Sequence, residues 1–491
     1  MQKYLIALDQ GTTSTRAILF DEALNEVAVT QKSFEQFYPE NGWVEHDAET
    51  IWLDSLELLK ELLVKAKIKT SSVDALGITN QRETTVLWDS NTGEVIYRAI
   101  VWQDRRGATL TERLKMEGHE ASVKAKTGLL LDSYFCASKI HWVLHNIPRA
   151  KQLMKDGRLR FGTIDAFLIW RLTAGEVHAT DITNASRTLL FNIHTQSWDQ
   201  DLLDLFEIDA SILPKVQECA ADFGEIDTKF LGGSIPIRGV AGDQQAATIG
   251  QCCFEPGMAK CTYGTGAFLM QNTGNQVIPS QQLLSTVLYK IKGEIAYALE
   301  GSIFVAGAAI QWLRDQLHFF KSSAETEHLA TEVADNGGVY FVTALTGLGA
   351  PYWKPNARGA ILGLTRDTRS AHITRAALEA VCYQTRALLD AMKKEGAPEC
   401  HHLRVDGGMV ANDWLCQFLA EQLRVPIERP KIIETTALGA ALLAGLGIGW
   451  YENLTAVKKL YHSERIFTTK NLPSTAEQLY NNWQNAVERI A

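Results

Sequence analysis

The sequence lacks the features of several large protein classes. Its eight cysteines form no C-x-x-C pair, and its 491 residues contain no long run of lysine and arginine. A disulfide framework is unusual in so long a chain, so we interpret the cysteines as reduced thiols in the core. The adjacent Cys252 and Cys253 are interpreted in the same way, as packed residues and not as a redox pair.

Excess positive charge is also missing. The chain has 57 acidic and 48 basic side chains, a net charge of −9. A mildly acidic protein has little electrostatic attraction for nucleic acid or for an anionic membrane, so we expect neither as a partner. The H-E-x-x-H, G-x-S-x-G and paired HRD and DFG motifs are absent, as is metal-type Cys/His spacing. These absences argue against zinc proteases, zinc fingers, α/β-hydrolases and the usual protein kinases.

Long apolar segments are scarce. The first nine residues are too short and too soon charged to predict a signal peptide. The apolar run 435–450 is shorter than the ~20 residues that a membrane span needs, and its glycines and alanines predict a closely packed helix. We therefore expect a cytoplasmic protein.

A glycine turn near the start joins two strands. Apolar residues 3–8 end in Asp9, the turn 10–14 reads QGTTS, and strand-like residues 16–20 and 26–30 follow. Walker and Rossmann loops lead instead into a helix. Backbone N–H groups and hydroxyls in such a turn can bind phosphate, and Asp9 can hold magnesium through water. A surface hairpin is the alternative that the sequence leaves open.

The second half repeats this layout. A strand over 258–262 leads into the Gly/Thr turn 263–266, and strands over 267–271 and 295–299 follow. The sequence identity between the halves is slight. The shared layout predicts two α/β domains, residues 1–250 and 251–491, that face each other across a cleft.

Hydrophobic spacing and capping residues predict further elements. Asp47 has the position of an N-cap. The predicted helices are 48–66, 304–317, 371–394 and 412–423, the predicted strands are 75–79 and 403–406, and 84–97 is predicted as a hairpin.

Asp243 follows a glycine and precedes an apolar helix start. An Asp in that position is commonly an N-cap. Its alternative role is to accept a proton from a hydroxyl that attacks a phosphoryl group. The sequence alone leaves both roles open.

Arg82 and Glu83 follow a buried-strand candidate. They form either a solvated ion pair or a site for a small polyol, in which Arg donates to hydroxyls and Glu accepts from them. Trp102, Tyr134 and Phe268 are either core aromatics or the apolar wall of that site.

Two further glycine turns are candidates for ligand contact. Gly264, Thr265 and Gly266 form one, and Gly407 and Gly408 lie between a strand and a helix that starts near Asn412. Backbone N–H groups there can approach a ligand closely, although ordinary turns have the same composition.

Nine segments together resemble the FGGY family of carbohydrate kinases, and within it the members that phosphorylate glycerol. The Arg82–Glu83 pair favours those members over their sugar-kinase relatives. The segments, in chain order, are LDQGTTSTR (8–16), GITNQRETT (77–85), IVWQDRR (100–106), TDITNASR (180–187), AGDQQ (241–245), TYGTG (262–266), YALEG (297–301), GLGAPYW (347–353) and RVDGG (404–408).

The resemblance implies two actin-like ATPase (ribonuclease H-like) domains related by duplication, with an interdomain cleft. It also implies Mg²⁺-dependent transfer of phosphate from ATP to glycerol, giving sn-glycerol 3-phosphate and ADP, with Asp243 as general base. The implied glycerol contacts are Arg82, Glu83, Tyr134, Asp243 and Gln244, with Trp102 and Phe268 as the apolar wall. The implied phosphate and nucleotide contacts are Thr12, Thr13, Ser14, Arg16, Thr265, Gly307, Gln311, Gly408 and Asn412, and Asp9 faces magnesium.

One stretch departs from the family pattern. Some bacterial members have a Gly-rich loop with an Arg that binds fructose 1,6-bisphosphate, whereas residues 231–237 here are shorter and have Ser234 in that place. The resemblance therefore gives no support for inhibition by that bisphosphate. A homo-oligomer, either a dimer or a tetramer, is expected. A kinase of another polyol or ketose such as xylulose, and an actin-like nucleotide switch, are the alternatives.

Overall fold

The computed structural model describes residues 2–354, 356–470 and 472–490. Its strands are β1 (Tyr4–Gln10), β2 (Ser14–Asp21), β3 (Glu26–Ser33), β4 (Glu45–His46), β5 (Val73–Asn80), β6 (Val86–Asp89), β7 (Ala99–Ile100), β8 (Leu159–Gly162), β9 (Ala179–Asp181), β10 (Phe191–Asn192), β11 (Ser197–Trp198), β12 (Lys215–Gln217), β13 (Ile237–Gly242), β14 (Met258–Tyr263), β15 (Ala267–Gly274), β16 (Leu284–Ile291), β17 (Glu294–Ile303), β18 (Tyr340–Val342), β19 (Ala360–Leu362), β20 (His402–Asp406), β21 (Ile427–Pro430) and β22 (Ser463–Phe467).

Helices alternate with these strands. They are α1 (Ala48–Ala66), α2 (Ala108–Met116), α3 (Glu120–Thr127), α4 (Cys136–Asn146), α5 (Pro148–Lys155), α6 (Ile164–Leu172), α7 (Ile182–Ala185), α8 (Gln200–Leu205), α9 (Thr228–Leu231), α10 (Asp243–Gly250), α11 (Gly307–Asp315), α12 (Glu325–Glu332), α13 (Ser370–Lys394), α14 (Asp413–Leu423), α15 (Thr435–Gly447), α16 (Leu454–Lys458) and α17 (Pro473–Glu488). Short 3-10 turns occupy Thr70–Ser72, Ala210–Ile212 and Gly408–Ala411.

The chain forms two compact units. The first comprises Met1–Cys252, Ser285–Tyr297 and Glu434–Leu460, and the second comprises Cys253–Leu284, Ala298–Ile433 and Tyr461–Ala491. The predicted domains 1–250 and 251–491 remain a prediction. The compact units differ from them in grouping two later segments with the first unit.

The sheet of the first unit has the strand order β13-β5-β1-β2-β3. β1 runs parallel to β5 and antiparallel to β2, and β13 runs parallel to β5. The turn after Asp9 therefore joins two paired strands, which confirms the predicted strand–turn–strand layout. Aliphatic side chains of this sheet pack with those of α1 and α6 into one buried core.

The second unit repeats the order. Its strands are ordered β17-β15-β14-β20-β21-β22, where β17 belongs to this unit from Ala298 onward. β14 runs antiparallel to β15 and parallel to β20, and β20 runs parallel to β21. The series β21-β20-β14-β15-β17 thus corresponds to β13-β5-β1-β2-β3 in the first unit. A separate core lies between this sheet and helices that include α13, α14 and α17.

Local chemistry explains the predicted helices. The Asp47 carboxylate accepts from the backbone N–H groups of Glu49 and Thr50, so α1 begins where the N-cap predicted. Asn412 caps α14 by accepting from Leu415 N at 2.9 Å. α13 matches its predicted range to within a residue, whereas α11 is shorter than predicted at both ends. At its start, the N-cap residue Ala306 has φ −112° and ψ −93°, which is not helical.

α15 is the predicted close-packed helix. A Cβ atom on its Gly439 would lie 1.8 Å from Ala246 O, and a Cβ on Gly77 of β5 would lie 2.0 Å from Ala440 O. Such distances are possible only for glycine, so these residues allow α15 to approach α10 and β5 closely. Among the described residues, no helix combines the length and apolar character that crossing a membrane requires.

The hairpin predicted over 84–97 is only partly correct. Its turn forms, since Asp89 N donates to Glu94 O and Ile96 N donates to Leu87 O. However, the ladder partner of β6 is β8, which is distant in sequence and could not be inferred from local pattern. All eight cysteines are free thiols, and Cys252 and Cys253 are buried, as predicted.

Candidate active site

Three parallel strands of the first unit end at one edge of its sheet. β1, β5 and β13 remain paired to their last residues. Because the carboxyl ends of parallel strands meet at the same edge, the residues that follow them are brought together. Asp9 near the end of β1, Arg82 just after β5 and Asp243 directly after β13 therefore share this edge.

The turn after Asp9 is tightly closed. Gly11 N donates to Ser14 O at 2.9 Å. The Thr12 hydroxyl accepts from Trp102 Nε1 at 3.0 Å, while Thr13 is exposed at the tip. The turn thus presents hydroxyl and backbone groups at the sheet edge, as a phosphate-binding turn requires.

Asp9 lies in a region of negative charge. It is directly opposite Arg16 across the β1–β2 ladder, and Arg16 forms an ion pair with Glu434. Burial raises the pKa of Asp9 to about 7; Arg16 opposes this, and Asp243 and Glu434 add to it. The raised pKa shows that the negative charge of Asp9 is unfavourable where it is buried beside the other carboxylates. A divalent cation bound there would compensate this charge.

Arg82 and Asp243 are in direct contact. Arg82 Nε lies 3.1 Å from Asp243 Oδ1, and only 3% of Arg82 is exposed. The stem of Arg82 packs on Gly242, where a Cβ would lie 2.7 Å from Arg82 Cγ. Gly242, not Asp243, has the N-cap position of α10. The N-cap role considered for Asp243 is therefore not realised, and its carboxylate lies on the first residue of the helix.

Glu83 is held by a buried partner. Arg187 Nε lies 2.5 Å from Glu83 Oε1, and both side chains are nearly inaccessible to solvent. Glu83 has a positive φ of 59°, a conformation that costs a non-glycine residue about 1–3 kcal/mol. Strain of this kind is concentrated at functional positions, and Glu83 directly follows Arg82 in the chain.

Aromatic side chains complete this part of the site. The rings of Trp102 and Tyr134 lie edge to face with centroids 5.6 Å apart, and Tyr134 also lies beside the Arg187 guanidinium at 5.8 Å. Gln244 follows Asp243 on α10, and its backbone N–H donates to Asp243 Oδ1 at 2.7 Å.

The predicted nucleotide contacts lie in the second unit. Ala306 N and Ala308 N both donate to Thr265 O, which holds the turn 264–266 against the start of α11. A Cβ on Gly307 would lie 3.6 Å from Met409 Cγ, so the turn that contains Gly408 lies beside it. Gln311 is exposed one turn along α11.

The structure thus assembles the predicted residues in two sets. The first unit holds Asp9, Thr12, Thr13, Ser14, Arg16, Arg82, Glu83, Trp102, Tyr134, Asp243 and Gln244, and the second holds Thr265, Phe268, Gly307, Gln311, Gly408 and Asn412. Phe268 is half-buried on β15, opposite Thr262. Its contact with glycerol stays a prediction, as do the roles of the other residues.

Two residues were missed by the sequence analysis. Arg187 lies in a segment that carries the family resemblance, but its partner Glu83 is 104 positions away. Glu434 is separated from Arg16 by most of the chain, and no local pattern marks it. Residues 231–237 are the stretch that departs from the family pattern, and in it Ser234 is exposed and its hydroxyl donates to the Glu225 carboxylate.

Family models match most of the chain. One, described as the N-terminal domain of the FGGY family of carbohydrate kinases, matches residues 4–250, and the C-terminal domain of the same family matches residues 259–448.

Full-length relatives were also found. A glycerol kinase of Ectopseudomonas mendocina and glycerol kinase 1 of Pseudomonas aeruginosa are each 55% identical over 491 residues, covering 100% of this chain and 99% of theirs. A structure of Plasmodium falciparum glycerol kinase with ADP superposes with a TM-score of 0.95 at 38% identity, over 100% of this chain and 98% of that one. A ligand-bound xylulose kinase of Lactobacillus acidophilus, at 24% identity and a TM-score of 0.88 over 99% and 98%, shares the fold.

Proposed function

The chain belongs to the FGGY family of carbohydrate kinases, and from this we propose that it transfers the γ-phosphoryl group of ATP to glycerol, giving sn-glycerol 3-phosphate and ADP. Relatives named glycerol kinase that are 55% identical over the full length support the choice of substrate. The ADP in the Plasmodium falciparum structure supports the choice of nucleotide.

The observation that carries the chemistry is the contact between Arg82 and Asp243 beside the buried Glu83. A guanidinium donates hydrogen bonds in a fixed geometry and a carboxylate accepts them, so Arg82 and Glu83 can hold neighbouring hydroxyls of a small polyol. Asp243 then lies within the same hydrogen-bonded group, because Arg82 Nε is 3.1 Å from its Oδ1.

In this reaction Asp243 accepts the proton of a terminal glycerol hydroxyl. The freed oxygen forms a bond to the γ-phosphorus, the bond from that phosphorus to the β-γ bridging oxygen breaks, and ADP leaves with the electron pair. Phosphoryl transfer depends mainly on positioning and charge stabilisation, so one aspartate base suffices.

The remaining predicted residues position the phosphates. Thr12, Thr13 and Ser14 donate from the turn, and Arg16 adds positive charge behind it. Asp9 would hold Mg²⁺, whose charge would stabilise the phosphate oxygens when it is bound. Thr265, Gly307, Gln311, Gly408 and Asn412 would contact the nucleotide, and Trp102 and Phe268 would contact the carbon atoms of glycerol.

The test is a coupled assay of product formation with a panel of acceptors. We expect ATP-dependent formation of glycerol 3-phosphate, with kcat/KM for glycerol well above that for xylulose and other polyols. Preference for xylulose would overturn the substrate, and slow ATP hydrolysis that glycerol does not change would indicate a nucleotide switch. Cytoplasmic location and assembly into a dimer or tetramer are part of the proposal, tested by cell fractionation and light scattering.

A further inference from the structure

A cluster of metal-ligating side chains lies away from the candidate active site. His141 and His145 are four residues apart on α4 and therefore share one face of the helix. This H-x-x-x-H spacing is typical of metal ligands, so the expectation that the sequence contains no such spacing is wrong at this position. Their rings stack with centroids 3.9 Å apart. Glu207, just beyond α8, approaches the same face, and its two oxygens lie 3.9 Å from His141 Nε2 and 3.2 Å from His145 Nε2.

The hydrogen bonds of His145 define which nitrogen is available. Its Nδ1 lies 2.9 Å from the backbone oxygen of His141. A carbonyl oxygen only accepts, so Nδ1 carries a proton, and Nε2 is the ring nitrogen that can bind a metal ion. Metal-ligating histidines characteristically donate their other nitrogen in this way, which fixes both the tautomer and the ring orientation.

The potential ligand atoms of these three side chains face one another. His145 Nε2 lies 3.2 Å from one carboxylate oxygen of Glu207, and His141 Nε2 lies 3.9 Å from the other. Imidazole nitrogens and carboxylate oxygens can each give a lone pair to a metal ion. A divalent cation bound here would be coordinated by all three groups at once.

We propose that His141, His145 and Glu207 form a binding site for a divalent transition-metal ion of the Zn²⁺ class. Two imidazoles and a carboxylate are a common zinc donor set. In a tetrahedral site with bonds of about 2.0–2.1 Å, donor atoms are separated by about 3.3 Å. The ligand atoms here lie within 4.8 Å of one another, so binding would require rotations of the two imidazoles as well as of the exposed Glu207 side chain.

The ion would clamp α4 to the segment that follows α8. α4 begins beside the candidate polyol site, where Cys136 Sγ lies 3.4 Å from Glu83 O. Fixing the far end of this helix stabilises the first unit without placing the metal in the reaction. The site is independent of the proposed kinase activity, and the imidazole ligands distinguish it from the carboxylate environment of Asp9.

The test uses the full chain without a polyhistidine tag, after dialysis against EDTA. Titration calorimetry with Zn²⁺ alone should show one ion bound per chain. At Zn²⁺ about 100-fold above Kd, the melting temperature should rise by about 2–5 °C. H145Q and E207Q should each weaken Zn²⁺ binding by about 10-fold or more. Changing a residue that only hydrogen-bonds to a metal ligand already lowers metal affinity by about 10–100-fold, and removing the ligand itself should lower it at least as much.

A matched control is H119A, which removes a half-exposed histidine that precedes α3 and lies 3.9 Å from Glu117. H119A should bind Zn²⁺ like the unmodified protein. Circular dichroism and Mg²⁺-dependent activity report whether each variant is folded. Should H145Q fail to fold, electron paramagnetic resonance of Cu²⁺ in the unmodified protein should show coupling to two imidazole nitrogens. No saturable Zn²⁺ binding, equal binding by H145Q, or Cu²⁺ without such coupling would overturn the proposal.

Discussion

Arg82 Nε lies 3.1 Å from Asp243 Oδ1, so the predicted base is oriented by a guanidinium that is itself almost fully buried. Arg82 also lies 3.4 Å from Gln245 Oε1 through its Nη1. One side chain thereby links the residues after β5 to the first turn of α10.

Replacing Arg82 by lysine tests this link. Lysine keeps the charge but loses the rigid fork of donors, so glycerol and Asp243 would be held less accurately. We expect Arg82→Lys to lower kcat/KM for glycerol by about 10–100-fold, since small misplacements have effects of that size. Initial rates over a range of glycerol concentrations measure it, and an unchanged kcat/KM would contradict the assigned role.

The Glu83–Arg187 pair predicts a large effect on stability. Arg187→Met leaves the Glu83 carboxylate buried beside an apolar side chain, which should destabilise the first unit by about 3–5 kcal/mol. Urea unfolding measures the loss. Adding Glu83→Gln should restore part of the lost stability, because the double variant no longer buries the carboxylate whose ion pair with Arg187 was removed. Effects that simply add would show that the two residues are not coupled.

At Gly439 we expect alanine to be less stable than glycine, the reverse of the usual order in a helix. Alanine in a helix interior is normally more stable than glycine by about 1 kcal/mol. Here a Cβ would lie 1.8 Å from Ala246 O, so Gly439→Ala should destabilise the protein by about 2–3 kcal/mol or more.

A control for this change is Gly396→Ala. Gly396 has a φ of 94°, and no neighbouring atom lies within 4 Å of the position that an alanine methyl group would take, so only backbone strain of about 1–2 kcal/mol applies. Thermal unfolding of both variants compares them. A Gly439→Ala protein as stable as the unmodified one would refute the close approach of α15 to α10.

The burial of His46 should make the folded protein less stable at acidic pH. It is buried, with Nε2 2.7 Å from Gln36 Oε1 and Nδ1 3.3 Å from Gln81 Nε2, and burial lowers its pKa to about 4. In the unfolded chain the imidazole of His46 is protonated near pH 6.5, whereas in the folded protein it stays neutral down to about pH 4. The stability that depends on neutral His46 is therefore fully present above pH 6.5 and is lost as the pH falls towards 4. The loss attributable to His46 is at most about 3 kcal/mol.

Urea unfolding at pH 7 and pH 4.5 measures this effect. His46→Gln should show a smaller fall in stability between the two pH values than the unmodified protein. His119→Gln, at a half-exposed position, should behave like the unmodified protein. An identical fall in His46→Gln would exclude His46 as a source of acid sensitivity.

Local sequence was sufficient to predict much of the fold. The Asp47 cap fixes the start of α1, and the glycine turn after Asp9 identifies two paired strands. The repeat of that layout in the second half also predicted the paired strands β14 and β15. These features depend on residues close together in the chain, so pattern and capping chemistry reveal them.

Long-range pairs escaped prediction. Arg187 meets Glu83 across 104 positions, and Glu434 reaches Arg16 from the far end of the chain. In the same way, α15 belongs to the first unit although it lies close to the C-terminus in sequence. Nothing in the local composition of these segments specifies their partners, which only the packed structure defines.

The most direct test of the central claim is the rate of glycerol 3-phosphate formation by Asp243→Asn, measured beside ATP binding. Asparagine keeps the size of the side chain but cannot accept the glycerol proton as a carboxylate does. We predict a fall in kcat of about 10²–10⁴-fold, the usual contribution of a general base, with ATP affinity nearly unchanged. Near-normal turnover by Asp243→Asn would contradict the assignment of Asp243 as the base.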